Sequence, residues 1–427
     1  MKSIDYNDDK MSKGLRTMAR SRILLASALA VLVLSTAIAA AEEGGDPGIA
    51  IASGKATVAV RYRYEHVDQD LVDEKADAST ARLRLNYRSG LWNGWSAFAE
   101  YDHVFHIFLT DFNSGAGTSP NKGQYPVVAD PKGSDLNQLY LDYSRSDDWK
   151  YRLGRQRILL DNQRFVGGVG WRQNEQTYDA LTLNSFAIPK TALSYSYVNR
   201  VRRIFGQTVP AGKARVDGHL LNAKVSVSDS FSLTPYFYYL DYATSTSNST
   251  ATVGVRVAAN INVSEGNVTL LGEFATQSDV ADATVSYDAQ YAHLNAMWVM
   301  ENGLSLGIGF ESLGGDSTDD DEMFRTPLAT LHAFQGWADR FLTTPDGGID
   351  DLYATVKYKA GKWALAGVYH DFSSEARGGD YGSEFDVSAG RGFGKHYGVL
   401  FKGAFFSSDS TSYDDANKFW IMLMANY

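Results

Sequence analysis

Apolar and polar residues alternate with a period of two along most of the chain. The clearest runs are residues 58–65, 81–88, 304–311 and 351–358. Because successive side chains of a β-strand point to opposite faces, each run predicts a strand with one apolar and one polar face. Runs of about ten residues are long enough for a tilted strand to cross a bilayer.

The same alternation along the whole sequence predicts about 18 strands. With an even number of antiparallel strands, the start of the first strand and the end of the last strand lie on the same side of the sheet. The links that join successive strands are alternately short and long, and the longest are residues 106–134 and 313–348. The predicted strands lie near residues 55–68, 78–89, 94–106, 135–145, 149–160, 172–185, 191–201, 216–226, 231–242, 251–260, 267–277, 287–300, 303–313, 349–359, 363–373, 382–392, 397–407 and 416–427.

Two architectures produce strands with one apolar face. In a soluble sandwich the apolar face points into a core, whereas in a membrane barrel it faces lipid and the polar face lines a lumen. The strict alternation of short and long links favours the barrel, because outer-membrane barrels have short periplasmic turns and long extracellular loops. We therefore predict an all-β protein, a transmembrane antiparallel β-barrel over residues 55–427.

The N-terminal segment resembles a targeting signal. Basic residues between Lys10 and Arg22 precede an apolar run over residues 23–34, and small residues follow at 37–41. This layout is typical of a cleaved secretory signal peptide; an uncleaved membrane anchor is the alternative. We predict a signal peptide over residues 1–41, a short periplasmic segment over 42–54, and location in the bacterial outer membrane.

Composition excludes several functional classes. The chain has no cysteine, which excludes disulfides, thiolate zinc sites and a cysteine nucleophile. Its net charge of -10 argues against nucleic-acid binding, which needs a basic surface. The sequence contains none of the short hydrolase, metalloprotease or phosphate-binding motifs, so we predict no enzyme activity, no cofactor and no metal.

Arginine is concentrated on the predicted polar faces, particularly on the first two strands. A row of arginines in a lumen favours anions, and a guanidinium can hold a carboxylate through two hydrogen bonds. Inward acids such as Glu100 and Asp142 leave a mixed, weakly selective lumen as the alternative. The candidate residues of the substrate path are Arg61, Arg63, Arg82, Arg84, Arg88, Arg152, Arg155, Arg157, Arg164, Arg172, Arg200 and Arg256.

The strict alternation fails at two of these arginines. If Arg152 faces the lumen, then Arg155 and Arg157 face lipid. A bulge near Gly154 would return both side chains to the lumen. Alternatively, both lie at the membrane rim with their charged ends in the headgroup region.

The long link over residues 313–348 is too apolar for a solvated loop. Part of it has a helical period, which predicts a short helix or paired turns that pack on the rim or inside the barrel. We predict that it gates or constricts the lumen. An acidic tip at residues 316–322 either binds calcium or, as we favour, is simply solvated. The candidate gating residues are Pro327, His332, Phe334, Trp337 and Asp339.

Four segments resemble the alginate-export family of outer-membrane barrels. They are Tyr-Arg-Leu-Gly-Arg-Gln at 151–156, Gln-Arg-Phe-Val-Gly at 163–167, Tyr-Asp-Ala-Leu at 178–181, and the region from Thr326 to Asp339. The resemblance extends over most of the chain from about residue 55. It implies eighteen strands and an arginine-lined lumen suited to a polyuronate.

The sequence as a whole predicts a passive outer-membrane channel for anionic solutes, most simply an alginate-like oligosaccharide or polysaccharide. One alternative is a general or small-carboxylate porin. Another is a barrel enzyme or a structural or adhesive outer-membrane protein. The predicted partners are an anionic saccharide or small anion, outer-membrane lipid and lipopolysaccharide, with no nucleic acid.

Overall fold

The computed structural model describes residues 46–427, apart from the side chain at position 145. The predicted signal peptide lies outside the described residues. The described chain begins with a short helix, α1 (Pro47–Ala52), whose first turn is capped by the Asp46 carboxylate accepting from the Gly48 amide at 2.8 Å. Within residues 46–427, no helix is long and apolar enough to span a membrane.

Eighteen β-strands follow α1, as the alternation predicts. They are β1 (Lys55–Gln69), β2 (Ala76–Arg88), β3 (Trp95–Asp111), β4 (Gly133–Ser146), β5 (Trp149–Gln156), β6 (Thr177–Ser185), β7 (Thr191–Arg202), β8 (Lys213–Ser226), β9 (Phe231–Tyr242), β10 (Thr250–Val263), β11 (Gly266–Asp279), β12 (Asp288–Met300), β13 (Leu304–Leu313), β14 (Ile349–Ala360), β15 (Trp363–Ser373), β16 (Asp380–Phe393), β17 (Tyr397–Ser408) and β18 (Ala416–Asn426).

The strands form one closed antiparallel barrel. Each strand pairs with the next along the chain, and β18 returns to pair with β1, where Tyr62 lies opposite Leu423. The predicted fold is therefore confirmed. The largest differences from the predicted bounds are at β3, which continues to Asp111, at β6, which begins only at Thr177, and at β5, which ends at Gln156.

The connections divide the barrel into two rims. At the short-turn rim the links are tight, as at residues 147–148, 264–265 and 361–362. The links at the long-loop rim are L1 (70–75), L2 (112–132), L3 (157–176), L4 (203–212), L5 (243–249), L6 (280–287), L7 (314–348), L8 (374–379) and L9 (409–415).

The two faces of the barrel wall differ in polarity. The outer face exposes large apolar side chains, including Leu85, Leu153, Phe401 and Ile421, which would be costly in water and are stable against lipid. The inner face carries buried polar and charged side chains. In β18 the same alternation places Phe419, Ile421 and Leu423 outward while Trp420 and Met422 are buried.

The hydrophobic core lies inside the barrel rather than between two sheets. L3 and L7 leave the rim, enter the lumen and pack against inward aromatic residues such as Tyr291 and Trp420. Phe324 and Leu328 of L7 are completely buried there. This packing explains the apolar composition of the long link, which would otherwise expose its hydrophobic side chains to water.

Candidate functional site in the barrel lumen

L3 and L7 join inside the lumen to form one body, which we call the loop plug. Val166 and Leu328 form a parallel bridge, and the Gly167 amide donates to the Leu328 carbonyl at 2.9 Å. The Thr330 amide donates to the Gln163 carbonyl at 3.0 Å. These backbone bonds make the two loops mutually dependent.

L7 is built from turns. Of the two predicted alternatives, a short helix or paired turns, the structure has turns with a single 3₁₀ turn at Leu331–Ala333. Gly336 has a φ of 78° and lies against the Glu384 carboxylate, where an added Cβ would approach an oxygen to 2.3 Å. Glycine therefore allows both the backbone conformation and the close approach of L7 to the wall.

Four of the five arginines of β1 and β2 contact the loops. Arg61 donates to the Gly170 carbonyl at 2.9 Å and to the Gln173 side chain at 3.0 Å. Arg82 donates to the Gln173 carbonyl at 3.1 Å. Arg63 is completely buried, pairs with Asp130 of L2 at 3.0 Å, and lies 4.2 Å from the Trp171 ring centroid. This wall therefore holds L2 and L3 in place.

A second cluster surrounds Glu175 of L3. Its carboxylate contacts Arg84 at 2.9 Å and also pairs with Arg157. Arg84 makes a bidentate contact with Asp102 at 2.7 and 2.6 Å. Burial alone would raise the pKa of Glu175, but the charges of Arg84, Arg157 and Arg82 outweigh it and hold that pKa well below its usual value.

Arg172 links L3, L7 and the wall. It contacts Glu65 of β1 and Asp339 of L7, each at 3.0 Å, and Lys418 of β18 contacts the same Asp339 oxygen at 3.2 Å. Burial would raise the pKa of Asp339, but His332, Lys418 and Arg172 outweigh this and hold it well below its usual value. Asp339 is therefore a buried carboxylate that side chains of two loops and one strand contact.

A similar arrangement holds Arg164. Its Nε lies 2.9 Å from Glu311 of β13, and its Nη2 donates to Gln335 of L7 at 3.0 Å. The guanidinium lies 4.8 Å from the ring centroid of Phe334. Arg164 thus ties L3 to L7 and to the wall at β13.

The other predicted gating residues also lie in the plug. The ring of His332 stacks on Trp171 at 4.5 Å and contacts Lys402 of β17 at 2.7 Å. The Trp337 amide donates to Asp386 at 3.2 Å. Pro327 lines a cavity of about 280 Å³ on the long-loop side. The structure brings Phe334, His332, Trp337 and Asp339 together; their gating role stays a prediction.

Arg88 and Arg152 lie nearer the short-turn rim and share one partner. Arg152 makes a bidentate contact with Asp142 at 2.7 and 3.0 Å, and Arg88 contacts the same carboxylate at 3.3 Å. The Arg152 guanidinium stacks 3.9 Å from the Tyr140 ring centroid, and Arg88 donates to the Tyr140 hydroxyl. This group lies on the lumen side, below L3.

Arg155 and Arg157 separate onto different faces. The pairing of β5 is continuous from Lys150 to Gln156 against β6, so there is no bulge near Gly154 in this part of the chain. Arg155 lies opposite the exposed Leu139 and shares its outward face. The chain then leaves the sheet, and Arg157 turns inward to Glu100 and Glu175.

Arg200 also lies away from its predicted face. Register shifts beside Val198 on β7 and beside Asp179 on β6 add a residue to the strand and reverse the alternation. Arg200 is therefore opposite Asp179, the partner of the outward Arg155. Arg256, by contrast, lies beside Glu273 at 2.7 Å on the inner face.

Sequence reasoning missed the acidic partners that the loops contribute. Asp130 of L2 and Glu175 of L3 neutralise wall arginines. Asp130 lies in a predicted link, and Glu175 lies in the predicted strand 172–185, whose first residues the structure places in L3. The acidic tip of L7 is partly paired, since Asp320 contacts Arg377 at 2.9 Å. Among residues 46–427, no group of three or more His, Asp or Glu side chains is placed to hold a metal ion.

In most of the lumen ion pairs, the guanidinium is more exposed than the carboxylate, although the pairs of Arg63 and Arg164 are almost fully buried on both sides. The exposed fractions are 25% for Arg157 against 3% for Glu100, and 16% for Arg256 against 1% for Glu273. For Arg88 they are 45% against 24% for Asp142. A solute in the remaining space therefore meets the edges of arginines before it meets carboxylate oxygens.

Comparisons with known proteins agree with this architecture. A family model described as alginate export matches residues 56–297. No curated protein matches the sequence. Solved structures with similar folds include Acinetobacter baumannii OccAB2, with 15% identity, 90% of this chain and 99% of that chain covered, and a TM-score of 0.71.

Two structures from Pseudomonas aeruginosa are also similar. OccK3 (OpdO) has 13% identity, with 89% of this chain and 97% of that chain covered and a TM-score of 0.67. OpdK with vanillate has 14% identity, with 88% and 99% covered and a TM-score of 0.67. At these identities the likeness establishes the fold alone, a closed β-barrel.

Proposed function

The chain belongs to the alginate export family, and from this premise we propose that it is a passive outer-membrane channel for anionic solutes. Its outer face meets lipid and lipopolysaccharide. By the asymmetry of outer-membrane barrels, the short-turn rim faces the periplasm and the long loops face outward. The solute moves down its own gradient, and no bond is made or broken.

One observation carries the proposal: arginine is the more exposed partner in most of the lumen ion pairs, including those of Arg157, Arg256 and Arg88. Each pair is neutral overall, yet a nearby ion interacts most strongly with the closer and less covered charge. At Arg157 and Arg88 that charge is positive. Several such weak sites in sequence would attract a carboxylate and still release it.

The first candidate substrate is a short or long polyuronate, in keeping with the family. A second candidate is a small carboxylate, because the loop plug fills much of the lumen and leaves cavities of about 470 and 280 Å³. Such volumes suit a small molecule or a few sugar units. A polymer would need the plug to move aside, whereas a small carboxylate would need less displacement.

Ion selectivity in planar bilayers tests the proposal. We expect the reversal potential in a KCl gradient to indicate chloride preference. Replacing Arg157 by Gln should move the permeability ratio towards unity, because it removes an exposed lumen charge and leaves Glu100 and Glu175 less compensated. Cation preference, or no conductance, would contradict an anion channel.

The matched control is Arg155→Gln, two residues earlier on the same chain. Arg155 is also ion-paired but lies on the outward face beside Leu139. It should leave the reversal potential unchanged. If both variants shift the reversal potential equally, the effect arises from the overall charge of the protein and not from exposed lumen arginines.

A further inference from the structure

A second cavity lies below L3, on the short-turn side of the lumen. Its volume is about 470 Å³, within the range of small-ligand sites. Residues 157–160 of L3 form part of its lining, together with inner-face residues of β3 to β7. We call it the lower vestibule. Because the short turns face the periplasm, a solute arriving from that side reaches the lower vestibule before the loop plug.

The lower vestibule has more positive than negative charge. Lys150 and Arg152 line it, and Arg88 approaches through the shared partner Asp142. The ammonium of Lys150 has no carboxylate within 4 Å among the side chains that the structure describes, and only the Phe186 ring lies near, at 5.5 Å. Three cations thus face the single carboxylate of Asp142, whereas Arg157, which also lines the cavity, is paired with Glu100 and Glu175.

Neutral hydrogen-bonding groups complete the lining. Ser96, Asn184 and Ser194 lie on inner-face positions of β3, β6 and β7 and contribute to the cavity. Their side chains make no hydrogen bond with any other described residue. Hydroxyl and amide groups of this kind suit sugar hydroxyls, because each can both donate and accept.

We propose that the lower vestibule is a binding site for a uronate saccharide, with Lys150 and Arg152 holding the carboxylate and Asn184 and Ser194 binding sugar hydroxyls. The inference rests on the proposed function and adds the location of a binding site within the channel. The substrate is captured on the periplasmic side of the plug. Arg61, Arg63, Arg82 and Arg84 of β1 and β2 do not serve this step, since they are occupied by L2 and L3.

The test is the block of ionic current by a uronate trisaccharide, added separately to each side of the oriented full-length channel. We expect block from the periplasmic side at lower concentration than from the outside. Lys150→Gln and Arg152→Gln should each raise the blocking concentration about tenfold on the periplasmic side, as expected for losing one charged hydrogen bond. The Lys150 variant breaks no internal ion pair, so folding should be unaffected.

Lys357→Gln is the matched control. Lys357 is an exposed residue on the far wall, in β14, three positions from the short-turn end of its strand, as Arg152 is in β5. Its loss changes the lumen charge equally and should not alter the block. Equal effects of Lys357→Gln and Lys150→Gln would overturn the proposal.

Sugar recognition is tested separately. Asn184→Ala should weaken block by the uronate trisaccharide and leave block by acetate unchanged. Block by a neutral trisaccharide as strong as that by the uronate, or unchanged uronate block in the Lys150 and Arg152 variants, would overturn the site. If the wild-type channel is anion-selective but the variants show unchanged block, only this site is refuted. If the wild-type channel is not anion-selective, the proposed function is refuted.

Discussion

His332 makes docking of the loop plug sensitive to pH. Its Nδ1 lies 2.7 Å from Asp339, and its Nε2 lies 2.7 Å from the Lys402 ammonium. An ammonium can only donate, so Nε2 must accept and Nδ1 must carry the proton that is donated to Asp339. A second proton on Nε2 would remove the acceptor and place two cations in contact. The docked plug therefore requires neutral His332.

The direction and size of the effect follow from its pKa. Burial lowers the pKa of His332 to about 3; Asp339 opposes this, while Lys402 and Arg172 add to it. In an undocked loop the pKa returns to about 6.5. The docked state thus binds fewer protons, and docking loses stability as pH falls below about 6.5. At pH 5 the loss is about 2 kcal/mol, or about thirtyfold, and the limit of about 5 kcal/mol is approached only below pH 3.

The absence of native cysteine allows a direct assay. Ala329 of L7 is only 3% exposed, so a single Ala329→Cys reports undocking through its reaction with a thiol reagent. Rates at each pH are divided by the rate for the same cysteine in unfolded protein, which removes the effect of thiol ionisation. We expect the corrected rate to rise about thirtyfold between pH 7.5 and pH 5, together with the open time of the channel.

His332→Gln is the informative variant. A glutamine amide can still donate to Asp339 and accept from Lys402, but it does not titrate, so the corrected rate should be nearly independent of pH. His396→Gln, at an exposed position in a short turn, should keep the wild-type dependence. A flat profile in the wild type, or an equal pH response in His332→Gln, would refute the reasoning.

Two further predictions concern stability. Arg63→Gln should lower the free energy of unfolding by about 3–5 kcal/mol, because it leaves Asp130 buried without its cation. Adding Asp130→Asn should restore much of the lost free energy of unfolding, as measured by urea titration of the vesicle-inserted barrel. A loss in the double variant equal to that in Arg63→Gln alone would contradict the pairing. Leu328→Ala should weaken the loop plug by about 2–5 kcal/mol, because Leu328 is fully buried against L3. We expect larger single-channel conductance and faster proteolysis of L7, and unchanged values would contradict its role.

The sequence predicts the barrel well because lipid and water impose the period of two directly on each strand. It predicts less well where the chain leaves the sheet. Residues 157–160 continue the pattern of β5, but they turn into the lumen, and no local feature distinguishes them. Arg200 was misplaced because a bulge beside Val198 reverses the alternation without changing the composition.

The site was harder to predict because its charges come from separate parts of the chain. Alternation could place Arg63 and Arg84 on the inner face, but it could not indicate that Asp130 and Glu175 would enter from loops and pair with them. Loop direction depends on tertiary packing, here the burial of L3 and L7 against inward aromatics. Arginine content therefore overstated the free positive charge of the lumen.

Arg61, a predicted residue of the substrate path, is held by neutral groups of L3. Its hydrogen bonds go to the Gly170 and Arg172 carbonyls and the Gln173 side chain, all of which belong to L3 and none of which is a carboxylate. While L3 is docked, the guanidinium is covered. When L3 withdraws, Arg61 loses neutral partners only and becomes an uncompensated lumen cation. We therefore predict that, if the plug opens, this wall becomes more attractive to anions in the same step.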